Sequence, residues 1–114
     1  VGIRVRVRTP HRLLYHLLKS HFLMIRINCF FQANEGQYDA ALQVALTLTA
    51  ASQKHTGCVS YDVFESGTRS DIFMFCETWT DAAALAAHAA TDDFKSAVAQ
   101  LEGLGKMKLE RFEF

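Results

Sequence analysis

The chain has 114 residues, 50% hydrophobic and 21% charged, with a formal net charge of zero; that is enough for one domain around one core and too little for two. No apolar run approaches the roughly 18 to 20 residues that cross a bilayer, so a membrane span is excluded and a soluble protein is expected. Cys29, Cys58 and Cys76 show neither zinc-ligand spacing nor the density of a disulfide framework, which points to buried thiols in a reducing cytoplasm.

The neutral total hides two compositions. Residues 1–23 carry five Lys or Arg and no acid, whereas residues 24–114 carry seven basic and twelve acidic residues, a net of −5. The basic leader is open to three readings: a transit peptide, a nucleic-acid arm, or an extension preceding a native start at Met24. The third is preferred, because everything after Met24 makes a complete pattern. Setting residues 1–23 aside as dispensable leaves a mildly acidic domain over 24–114, with little attraction for nucleic acid.

From Met24 to Phe31 the side chains alternate, with Ile25, Ile27, Cys29 and Phe31 on one face and Arg26, Asn28 and Phe30 on the other, so a strand is expected. Between Gln37 and Lys54, Tyr38, Ala41, Leu42, Ala45, Leu48 and Ala51 recur at helical spacing, and Gly57 is the expected stop. "CVSYDVFE" (58–65), with Val59, Tyr61 and Val63 on a shared face, and "SDIFMFCETW" (70–79) form a hairpin across the turn "SGTR". Thr80 and Asp81 cap an alanine-rich helix, and Thr91 with Asp92 and Asp93 caps a second one to about Leu101. After Gly103 and Gly105, "KMKLERFEF" (106–114) alternates Met107, Leu109, Arg111 and Glu113 against Lys108, Glu110, Phe112 and Phe114 as the last strand.

The order β-α-β-β-α-β, its second helix broken in two, predicts an α+β, ferredoxin-like fold with a four-stranded antiparallel sheet covered by helices on one face. Both strand faces carry apolar groups, among them Phe30, Ile72, Phe73 and Met74, so a homodimer that packs two sheets face to face is expected. Alanine takes little room and loses no rotamer entropy. A helix built from it leaves the shape of a cavity to larger neighbours, here Trp79 and His88.

"GCVSYDVFES" followed by "FMFCETWTDAAALAAHAATDDF" resembles the antibiotic biosynthesis monooxygenase family, whose usual middle is E-x-W, an alanine-rich turn, then H-x-x-T-x-x-F. The resemblance covers 24–114 and implies a dimeric α+β barrel. Its relatives include oxygenases without cofactor that act on quinols or anthrones, haem-degrading enzymes and an isomerase of a phosphorylated signalling sugar. It implies a small phenolic or quinol substrate, molecular oxygen as co-substrate and no cofactor. The alternatives are a non-catalytic protein that binds small aromatics or serves in stress, and an isomerase of a small signalling molecule. The implied catalytic residues are His88, Trp79 and Glu77, and the implied substrate-binding residues are Asn28, Tyr61 and Phe94.

The chemistry of those residues fits the resemblance. An unperturbed imidazole titrates near neutrality, so His88 could take a phenolic proton. Glu77 could act as base if burial raised its pKa, or could instead form a salt bridge with Arg69 across the strand face or with the partner subunit. Tyr61 could donate to a developing oxyanion, and Asn28 could orient a ligand if its strand face agrees. The five histidines form no metal-binding spacing, and no glycine-rich loop exists to hold a flavin or nicotinamide pyrophosphate, so no metal and no cofactor are expected.

Overall fold

A computed structural model describes residues 23–114; the basic leader, apart from Leu23, lies outside the described residues. The elements are β1 (Ile25–Ala33), α1 (Tyr38–Ser52), β2 (Cys58–Glu65), β3 (Ile72–Trp79), α2 (Ala82–Ala89), α3 (Asp92–Glu102) and β4 (Gly105–Glu113). The four strands form one antiparallel sheet in the order β2-β3-β1-β4. This is the ferredoxin-like arrangement expected from the strand and helix periodicities.

The alternation of β1 sorts its residues as expected. Ile25, Ile27 and Phe31 face the helices and are buried, and Phe31 stacks on Phe73 of β3 with ring centroids 4.9 Å apart. On α1, Ala41, Ala45 and Leu48 meet this layer, their small side chains bringing the helix close to the sheet. The helix ends short of Gly57, whose φ of +82° turns the chain into β2. A side chain there would run into Ala84 and the Thr80 hydroxyl, so glycine is required twice over.

One face assignment differs from the sequence reading. A register shift between Cys58 and Ser60 inserts a bulge into β2, and Val59 is left exposed rather than sharing a face with Tyr61 and Val63. The extra residue reverses the alternation, so Cys58 and Tyr61 both come to the helix side although they are three apart.

Caps fix where α2 and α3 begin. Asp81, rather than Thr80, closes the start of α2 by accepting from the Ala84 amide at 2.8 Å. Thr91 serves two helices at once: its hydroxyl accepts from the Phe94 amide and donates to the His88 carbonyl at 2.7 Å. That joint holds His88 and Phe94 side by side. Among the described residues, no helix is long and apolar enough to cross a membrane.

Candidate functional site

A cavity of about 490 Å³ lies between the sheet and the three helices. Its floor is the helix-facing side of the sheet, including Ile27, Cys29, Tyr61, Phe75, Glu77 and Arg111. Its roof is the alanine helix, through Ala82, Leu85, Ala86 and Ala89, together with Phe94 and Val98 of α3. The alanines therefore do what their size suggests, leaving open space over the sheet.

Glu77 is the carboxyl on this wall. It is only 6% exposed, and its Oε1 accepts the indole N–H of Trp79 at 2.9 Å, two residues along the same face of β3. Burial holds the carboxyl above its ordinary range, while hydrogen bonding from Trp79 and Tyr61 works in the opposite direction. Tyr61 stands beside it on β2, and burial and then the Glu77 charge push its phenol up. The expected partner Arg69 plays no part; the indole takes that place.

Trp79 and His88 lie behind the cavity wall, not on it. Trp79 is fully buried and His88 is 1% exposed, their rings 4.5 Å apart and tilted by 35°. The His88 Nδ1 faces the Nδ1 of His55 at 2.9 Å, so one nitrogen carries the proton and the other accepts it. Beyond His55 stands Asp93, 3.9 Å from its Nε2 and largely exposed. Burial, reinforced by His55, lowers the His88 pKa to about 4, so the ring is neutral at pH 7. His88 Nε2 is buried without a partner. The sequence reading set His55 apart from His88 as distant in the chain; the fold brings the α1–β2 connection, which carries His55, against the last turn of α2.

Of the six residues singled out in the sequence, Glu77, Tyr61 and Phe94 line the cavity, and Trp79 and His88 back it. Asn28 does not join them. Strand alternation sends it to the outer sheet face, into a shallow recess with Arg26, Phe112 and Phe114, where its Oδ1 is buried without a partner. Arg111 and Cys29 were not singled out, yet both line the cavity. The phase of β4, which puts Arg111 with Met107 and Leu109, was the available signal. Burial raises the Cys29 thiol to about 11, so it is no nucleophile at neutral pH. Among the described residues, no three His, Cys, Asp or Glu side chains converge to hold a metal ion.

The sequence profile of the antibiotic biosynthesis monooxygenase family matches residues 24–100. Among solved structures, a Bacteroides thetaiotaomicron protein described as a possible oxidoreductase is 49% identical, with a TM-score of 0.80 over 82% of this chain and 99% of that one. SnoaB, a cofactor-independent oxygenase from Streptomyces nogalater, is 17% identical with a TM-score of 0.72, covering 78% of this chain and 90% of its own, a likeness of fold. A Pseudomonas aeruginosa protein is 26% identical with a TM-score of 0.76, covering 81% of this chain and 94% of its own. A search of the curated proteins found no match.

Proposed function

The chain belongs to the antibiotic biosynthesis monooxygenase family, and from that premise we propose that it oxidises a small phenol or hydroquinone with molecular oxygen, without metal or flavin. The observation that carries this reading is the buried Glu77 carboxyl, with Tyr61 beside it, on the wall of an otherwise apolar cavity. A carboxylate whose pKa burial has raised is a better match for a phenolic proton than an exposed one.

In this mechanism Glu77 takes the phenolic proton, and the electron-rich anion passes an electron to dioxygen. Once Glu77 holds the proton, the Tyr61 hydroxyl turns from the carboxyl to donate to the developing oxyanion. The apolar roof excludes water from the anion. For a hydroquinone, one substrate and one dioxygen give one hydroxyquinone and one water. The ring supplies four electrons, one oxygen atom stays on it and the other leaves as water. Neutral His88 positions rather than accepts: it packs on Trp79, whose indole N–H holds Glu77. A second copy of the chain covers the outer sheet face, where Phe64, Phe112 and Phe114 are about half exposed.

The test is oxygen uptake with a panel of hydroquinones, with heavy-isotope dioxygen traced into the product. One labelled atom per product is expected, and Glu77→Gln lowers turnover about a hundredfold, the usual cost of losing a general base, with melting little changed. Full activity in Glu77→Gln removes that residue from the mechanism. Binding without uptake across the panel overturns the oxygenase reading and leaves a binding protein.

A further inference from the structure

Glu77 and Arg111 are the two charged residues on the cavity wall, and they stand in one row across the sheet. Tyr61 pairs with Glu77, Glu77 with Ile27, and Ile27 with Arg111. Phenol, carboxyl and guanidinium therefore rise from the same sheet face on β2, β3 and β4. Two strand spacings, roughly 10 Å, separate the backbones at Glu77 and Arg111.

The two charges do not neutralise each other. Glu77 Oε1 accepts from Trp79, and the carboxylate contact of Arg111 among the described residues is Glu113 at 3.5 Å, with both side chains 46% exposed. Water screens a pair so exposed, and a ligand can displace it at little cost. Between the row's charged ends the wall is apolar, with Ile27, Leu109 and Phe94 facing the gap. The rest of the domain offers no general attraction for an anion, since residues 24–114 carry a net charge of −5. Among the residues lining the cavity, this guanidinium is the cation that can give a preference for one.

We propose that the cavity selects an aromatic substrate bearing a carboxylate, with its phenolic end at Glu77 and its carboxylate on Arg111. This rests on the reading of the cavity as a phenol-binding site and adds the acidic group. A planar guanidinium binds a carboxylate through two parallel hydrogen bonds, which fixes the orientation of the ring between the two ends. Because the Arg111 side chain is about half exposed, a carboxylate bound to it keeps part of its hydration. Arg111 is thus a specificity residue, and the proton acceptor is separate from it.

The test is titration calorimetry with a hydroxynaphthoate and its methyl ester, which differ in the charged group. Wild-type protein should bind the carboxylate roughly tenfold more tightly than the ester, with the preference shrinking as salt is added. Arg111→Gln, whose side chain is about half exposed in wild type, should bring the ratio close to one by weakening carboxylate binding far more than ester binding, with melting checked alongside. Equal binding of both probes by wild type, or a preference that survives in Arg111→Gln, overturns the inference and leaves the phenol site standing. If neither probe binds, the phenol site itself fails and the inference fails with it.

Discussion

Protonating His88 should destabilise the fold by a calculable amount. The ring is 1% exposed, and burial, then His55, hold its pKa at about 4 against 6.5 for a free imidazole. Between those values the unfolded chain binds a proton at His88 that the folded chain does not. Stability is therefore fully present above pH 6.5 and falls as the pH drops toward 4. At about 1.4 kcal/mol per pH unit, the whole window is worth roughly 3 kcal/mol. Glu77 works in the opposite sense: its raised pKa makes the folded chain hold a proton above pH 4.5 that the unfolded chain has lost, so its contribution falls as pH rises. Urea unfolding of wild type and His88→Gln at a series of pH values, at one fixed protein concentration, separates the two. Both proteins share the Glu77 slope, so the difference isolates His88. The variant should be less stable at pH 7 but lose about 3 kcal/mol less on going to pH 4. Ring-proton NMR of the folded wild type should show one imidazole that does not titrate until about pH 4. Parallel pH dependences in the two proteins, or a His88 ring that titrates near 6.5, would refute a buried neutral histidine.

Gly57→Ala should cost about 2 to 3 kcal/mol, combining a positive φ that alanine resists with overlap onto Ala84 and Thr80; a melting temperature within about 2 °C of wild type would count against it. Light scattering at micromolar concentration should give twice the mass of the chain. Phe112→Asp, which puts a charge on the outer sheet face, should give the single mass; a wild-type monomer would remove the second copy from the proposed assembly.

Much of this architecture was legible from periodicity. A two-residue repeat in Ile25, Ile27 and Phe31 is a statement about which face is buried, and it holds whatever the neighbouring strand is. The caps at Asp81 and Thr91 were equally readable, because a side chain that bonds an amide three residues on acts locally. The bulge at Val59 was not, because an inserted residue is visible only in the register against β3. Nor was the division of Trp79, His88, Glu77 and Tyr61 into those that back the cavity and those that line it. All four are buried, and burial is what a sequence pattern encodes. Which buried group reaches open space depends on how α1, α2 and α3 dock over the sheet, and small helix residues allow several depths of approach. The same docking brings His55 of the α1–β2 connection to 2.9 Å from His88 of α2, across 33 residues of chain. Periodicity assigns each residue a face within its own element, while the site is made between elements, where distances are set by packing.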